Sequence, residues 1–275
     1  PRSTLFPYTT LFRSVQAGLD ASLAHQKAYE QYPHPYLPMG PRHQNRPAGC
    51  YDMMVSTIVP FPLKAVLFYQ GESDHQNARY YGTAFQTLID SWRRVFQNAK
   101  LPFYFVQIAG YAYPGAKVGA VPTLRLEQQK CHKPENNQFM VSAIDLGEED
   151  NIHPKDKLTL AKRLFQSIVE HRYGGQPKVQ APWIEQAIQE GNRVRLLLHS
   201  VVPMLKPQFD PCDGILVSID GFAFQKPSSV EFSHSEIVVH ITEPIKEIRY
   251  LFDNAPHCNY YGCEGLPLLP FRFRF

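Results

Sequence analysis

AVLFYQGESD, residues 65–74, is the stretch from which the fold is read. The run Val66, Leu67, Phe68, Tyr69 is apolar, β-branched and aromatic, and it stops at a polar, glycine-containing turn, Gln70-Gly71-Glu72-Ser73-Asp74. A short apolar run closed by a turn is the pattern of a buried parallel strand, and open α/β sheets place their ligands at the carboxyl ends of such strands. The turn is therefore the first candidate site. A second lies at Asp150-Asn151-Ile152-His153-Pro154, where a carboxylate precedes a histidine by three residues, just ahead of a helical pattern.

Outward from the first strand the pattern repeats. Between Gln76 and Ala99 the residues Tyr81, Phe85, Leu88, Trp92 and Phe96 fall three or four apart, one apolar stripe of an amphipathic helix. Phe103–Ala109 reads as a second buried strand, and a glycine-rich loop runs from Gly110 to Val121. Pro122–Lys133 reads as a helix with proline in its first turn, and Phe139–Asp145 as a third strand. The last long helix is expected to open at Pro154 and to run on through Leu158, Ala161, Leu164, Phe165 and Ile168. Alternating strands and helices predict right-handed crossovers and a parallel sheet covered on both faces.

Gly174-Gly175-Gln176-Pro177 is the expected domain boundary. Beyond it the period changes to two, through Val194, Leu196 and Leu198, then Ile215, Val217 and Ile219, then Ile237, Val239 and Ile241, then Ile248, Tyr250 and Phe252. That pattern predicts an antiparallel β-sandwich or partial jelly roll. Upstream, residues 15–32 read as a short surface helix and the proline-crowded residues 33–49 as an extended loop. Leu5 to Ser14, LFPYTTLFRS, resembles the conceptual translation of a common short-read sequencing adapter, so residues 1–14 are set apart from the fold. The expectation is then a partial catalytic domain over 15–174 and a β domain over 175–275, with the natural start of the gene, and any signal peptide, missing.

A net charge of +3, with 44% hydrophobic residues and no basic run, argues against a nucleic-acid partner. No apolar segment approaches the roughly 18 residues of a membrane span, so no membrane partner is expected either. The five cysteines are widely spaced and odd in number, which fits neither a disulfide scaffold nor a CxxC knuckle, although Cys258 and Cys263 are close enough to pair. His132, His153 and His171 lack an HxH or HxxxH partner, and neither metal nor cofactor is expected.

A histidine with a carboxylate three residues earlier can be held in one tautomer, leaving its other nitrogen as a general base. By itself D-x-x-H also describes a surface Asp and His in a helix-capping loop. Both anchors together, in this order and on consecutive strand ends, resemble the SGNH hydrolases, and specifically the sialate O-acetylesterase family of carbohydrate esterases. The resemblance runs from about Asn45 to the C-terminus. It is carried by NRPAGCYDMMVSTIVPF (45–61), KAVLFYQGESD (64–74), FQTLIDSWRRVF (85–96), AIDLGEEDNIHPKDK (143–157) and IRYLFDNAPHCNYYGCEGLPLLPFR (248–272).

The resemblance implies an SGNH-type (flavodoxin-like) three-layer α/β/α parallel sheet, incomplete at its N-terminus, followed by a small antiparallel β-sandwich. It implies a serine hydrolase removing O-acetyl groups from sialic acid or a related sugar. His153 would be the base and Asp150 its orienter. The family often has Asp where this chain has Asn151, so Asp145, or no orienter at all, stays open. Gln70 and Gly71 would line the oxyanion pocket and Glu72 brace the turn; a purely structural, backbone-satisfied Glu72 is the alternative. The family's Gly-Gln-Ser-Asn type nucleophile block has no counterpart here, and Ser73 matches a nucleophile turn only superficially. The expected partner is an acetylated carbohydrate, reached through the loops at 33–59 and 110–121. Lacking the serine block, the chain as given is expected to be inactive, and a non-catalytic carbohydrate-binding or structural module is the alternative. Family members are often secreted or periplasmic.

Overall fold

The computed structural model describes residues 48–175, 180–200, 203–204, 206–233 and 235–275. The helix expected at 15–32 and most of the proline-rich loop lie outside them. The chain divides into two compact units. The first comprises, of the described residues, 48–63 with Trp92–Ala99, and holds a π-helical turn at Tyr51–Val55 and a ring contact of 5.5 Å between Trp92 and Phe96. The second comprises Lys64–Ser91 with Lys100–Phe275 and carries both candidate anchors.

Three parallel strands open the second unit, β1 (Val66–Phe68), β2 (Phe103–Gln107) and β3 (Gln138–Ser142), side by side in that order. Phe68 pairs with Phe105, and Gln107 with Ser142. All five residues of β2 are buried, the polar Gln107 among them, as is usual for a central strand covered on both faces. The stretch at 65–69 differs from expectation. It is an edge strand of only three residues, and Leu67 is 58% exposed because no described strand pairs with its outer side.

Helix α1 runs from Tyr81 to Val95 rather than from Gln76. The preceding Glu72–Tyr80 is a 3-10 segment broken at Asn77 (φ −122°, ψ 31°). Its buried stripe is Tyr81, Phe85 and Ile89, with Leu88 to one side. Phe85 is the anchor, its ring 4.9 Å from Phe68 and 5.0 Å from Phe105, and burying it stabilises the packing by about 2–3 kcal/mol. Helix α2 spans Ala120–Lys130, and α3 spans Lys157–Tyr173. The expected start of α3 at Pro154 is corrected to Asp156, whose Oδ1 accepts the Thr159 N–H at 2.9 Å. That cap satisfies an otherwise orphaned donor and is worth about 1 kcal/mol. Leu160 on α3 packs with Val106, Ala109, Val141 and Ala143 under the sheet. Gly174 ends α3 in the left-handed conformation (φ +66°).

The remainder is antiparallel. One sheet has the order β4 (Trp183–Glu190), β5 (Arg193–His199), β8 (Glu236–His240), β7 (Ser229–Phe232). The other has the order β10 (Phe271–Arg274), β9 (Glu247–Tyr250), β6 (Ile215–Ser218). Val194, Leu196, Ile237 and Val239 of the first share one core with Ile215, Val217, Ile248 and Tyr250 of the second. Ile144, from the loop after β3, is buried in the same core, so the histidine loop is rooted in the β layer. Three strands escaped the period-two reading. In β4 the alternation is broken by a bulge between Ile184 and Gln186, while β7 and β10 are edge strands of four residues with no residue but Phe271 buried. All five cysteines are free thiols. No described helix is long and apolar enough to cross a membrane.

Candidate active site

Because β1, β2 and β3 are parallel, the segments that follow them leave the sheet at one end. These are the Tyr69–Glu72 turn, the loop from Ile108, and the long loop from Ala143 to His153. The sequence-derived anchors therefore share one side of the molecule.

The turn is fixed from below. A Cβ at Gly71 would lie 2.8 Å from Gln128 Nε2 and 3.1 Å from Ile108 Cγ2, so any side chain here would push the buried Gln128 amide out of place. Tyr81 donates its hydroxyl to the Gln70 carbonyl at 3.0 Å, and Gln128, fully buried, accepts the Ile108 N–H at 3.0 Å. The Gln70 side chain donates to Asp74 Oδ2 at 2.6 Å, so its amide is held on the turn itself. Asp74 is thus directed onto Gln70.

Glu72 occupies the centre. Burial pushes its carboxyl above the usual range, against the pull of the Gly71 and Glu72 backbone N–H groups and of the His153 and Lys157 charges. Lys157 Nζ lies 5.7 Å from the centre of the Tyr69 ring, whose hydroxyl burial and the Glu72 charge push up to about 12. His75 Nδ1 donates to the Glu72 carbonyl at 2.8 Å. Turn and histidine loop are therefore electrostatic neighbours.

The histidine loop is braced at several points. At Gly147 a Cβ would fall 2.1–2.6 Å from the backbone of Gly110, so two loops cross here main chain against main chain. Glu148 accepts from Lys155 N at 3.1 Å and from Lys155 Nζ at 2.6 Å, and Asn151 Oδ1 accepts the His153 N–H at 3.0 Å. The His153 ring is exposed. Among the described residues it makes no hydrogen bond with Asp150, which is also exposed, nor with any serine hydroxyl, Ser73 included. Asp145, the other expected orienter, is committed elsewhere. Its two oxygens take Arg163 at 2.7 and 2.8 Å in a pair that is nearly fully buried.

Two residues that the sequence did not single out complete the site. Tyr113, in the loop after β2, is 5% exposed, and its hydroxyl has no hydrogen-bond partner among the described residues. Its backbone is left-handed (φ +50°), which is strained for an aromatic residue and is a conformation that clusters at functional sites. Burial first, and then the nearby Glu72 charge, raise its hydroxyl's pKa, and its ring stands edge-on to His75 at 5.5 Å. Arg125 on α2 is fully buried and donates to four carbonyls: Ile108 (3.2 Å), Ala109 (2.8 Å), Asp253 (2.7 Å) and Asn254 (2.7 Å). Burial lowers its pKa to about 10, so it stays charged at neutral pH. Asn254 returns a bond to the Ala112 carbonyl at 3.0 Å. The signal in the sequence for Tyr113 is the Tyr111-Ala112-Tyr113 run set between Gly110 and Pro114-Gly115 after a buried strand; Arg125 has none. Of the loops expected to meet a carbohydrate, 110–121 adjoins this site, 33–47 lies outside the described residues, and 48–59 belongs to the first unit.

Residues 43–170 match the family model described as carbohydrate esterase, sialic acid-specific acetylesterase. No curated protein matches the chain by sequence. Among solved structures, a carbohydrate acetylesterase from Xanthomonas citri superposes with a TM-score of 0.73 at 24% identity, over 81% of this chain and 53% of its own, a likeness of fold. The chain thus spans about half the length of that protein. A protein from Arabidopsis thaliana aligns over 44% of this chain and 54% of its own at 26% identity, with a TM-score of 0.35, too loose a likeness to argue from.

Proposed function

We propose that the loops beyond β1, β2 and β3 form a site that hydrolyses acetyl esters carried by a sugar, sialic acid or a relative of it, a reading supported by the match of residues 43–170 to the model of the sialic acid-specific acetylesterases, a family of carbohydrate esterases. The observation that carries this reading is the meeting of the Gln70–Glu72 turn with the His153 loop, close enough for the His153 charge to act on the Glu72 carboxyl. An SGNH-type three-layer arrangement is the fold that fits parallel strand ends used in this way.

In this reading the exposed His153 imidazole takes the proton of an attacking hydroxyl and later hands it to the departing sugar oxygen. Asp150 is the carboxylate that turns onto its ring. The turn at Gln70 and Gly71 faces the oxygen of the tetrahedral intermediate, where donors aimed at developing charge contribute most. Glu72 and Lys157 set the local field. Ser73 lies in the 3-10 segment without a bond to His153, so the attacking hydroxyl is to be identified by labelling.

The test is release of acetate from an O-acetylated sialic acid and from p-nitrophenyl acetate by the chain and by its His153→Ala variant, with fluorophosphonate labelling to map the nucleophile. Turnover lost by about 1,000-fold or more in the variant supports the reading; turnover indifferent to His153 removes it. The second reading, a non-catalytic carbohydrate-binding module, is favoured by the absence of a described serine hydroxyl on His153. Glycan binding with neither turnover nor fluorophosphonate labelling would establish it.

A further inference from the structure

A second cavity, of about 360 Å³, lies between the outer edge of β3 and the start of β4. Its wall includes Gln129 at the end of α2, His132, Met140 on β3, Gln180, Trp183 and Leu269. The wall is one structure, because the Leu269 N–H bonds the Pro182 carbonyl at 2.9 Å and the Met140 N–H bonds His132 Nδ1 at 3.0 Å.

The chemistry of this wall is specific. Among the described residues, no Asp, Glu, Lys or Arg lines it. The one titratable group among its described residues, His132, is kept neutral by burial and by the neighbouring His171, its pKa lowered to about 4 against the weaker pull of Glu135. With Nδ1 occupied as an acceptor, the neutral ring carries its proton on Nε2, and the Gln180 amide placed 3.3 Å away accepts it with its oxygen and nitrogen exchanged. Gln129 Oε1 is buried and has no donor among the described residues. Trp183 is stacked on His199 at 3.9 Å, which fixes the indole as part of a rigid wall. Amide groups, an unsatisfied acceptor and an indole, without net charge, suit a ring with apolar C–H faces and hydroxyl donors. The volume is at the small end of the roughly 300–1,000 Å³ usual for ligand sites, room for one such ring.

We propose that this crevice binds a neutral monosaccharide unit, one hydroxyl donating to Gln129 Oε1 and the ring lying against Trp183, separately from the site around His153. The inference does not depend on the esterase reading, since it concerns binding alone.

The experiment is titration of the chain with methyl glucoside, methyl galactoside and methyl N-acetylglucosaminide, followed by calorimetry and by tryptophan fluorescence in a Trp92→Phe background that leaves Trp183 as the reporter. Saturable binding of at least one of the three is expected. Gln129→Leu should weaken it at least tenfold without lowering the melting temperature, and sodium glucuronate should bind at least tenfold more weakly than the neutral sugar. If Gln129→Leu misfolds, Gln180→Ala takes its place with the same expected loss. No saturable binding at tens of millimolar, equal affinity for glucuronate, or binding untouched in the folded variant would each overturn the proposal. Because His153→Ala should leave this binding intact, failure of the esterase reading is read separately from failure of this one.

Discussion

Arg163 holds both carboxylate oxygens of Asp145, at 2.7 and 2.8 Å, and closes the cradle with the Ser142 carbonyl at 2.8 Å. The acid nearest the end of β3 is therefore a fastener between that strand end and α3. Asp145→Asn should destabilise the fold by about 3 kcal/mol, because it leaves a buried guanidinium without its counter-charge. In urea unfolding the midpoint should fall, while the pH–rate profile of any ester hydrolysis keeps its shape. An altered profile with unchanged stability would return Asp145 to the role of orienter.

Glu72 makes the opposite kind of prediction. Its carboxyl is raised by burial, so the folded state holds the proton more tightly than the unfolded chain does. The stability that goes with this is complete below the unfolded value of 4.5 and is lost as pH rises through the folded one. Glu72→Gln should flatten that stretch of the stability curve and be relatively more stable at neutral pH. Thermal melts from pH 4 to 8 measure it; parallel curves for the two proteins would contradict the assignment.

Tyr113→Phe removes a buried hydroxyl that has no partner, and so should raise stability, by about 1 kcal/mol, with the ring packing on His75 retained. Chemical denaturation gives the answer directly. A loss of stability would mean that the hydroxyl is satisfied in solution, for example by water.

Glu247 binds three arginines at once: Arg272 through two bonds of 2.8 and 2.9 Å, Arg274 at 2.9 Å, and Arg249. Burial works to raise its pKa, but the hydrogen bonds from Arg272, Arg249 and Arg274 outweigh it and hold the carboxyl at about 2. The folded value lies below the unfolded one, so the gain is present above pH 4.5 and disappears as pH falls toward 2. It amounts to at most about 3 kcal/mol. Acid unfolding should steepen in that window, and Glu247→Gln should abolish the steepening while lowering stability at neutral pH.

What could be read from the sequence, and what could not, follows the range of the forces involved. Strands β2 and β3 announce themselves because a strand buried on both faces is apolar through its middle, as Phe103–Val106 and Phe139–Val141 are. β1 was legible as a strand but not as an edge, since exposure of Leu67 depends on neighbours that its own residues do not encode. β4 was hidden by one extra residue at its bulge. At the candidate site the turn at Gln70 and the histidine loop were visible as local patterns. The commitment of Asp145 to Arg163 was not, since those residues meet 18 positions apart through tertiary packing. Tyr113 looks like any loop tyrosine until its backbone conformation and burial are known.

The four carbonyls on Arg125 come from both sides of the chain's main compositional divide, two from the end of β2 and two from Asp253 and Asn254. Cutting the polypeptide at Gly174 would strip half of those acceptors from a cation sealed away from water, and would free the loop that presents Tyr113. A workable graft or deletion series built from this protein has to carry its last hundred residues along, because the shape of the candidate site is set partly from there.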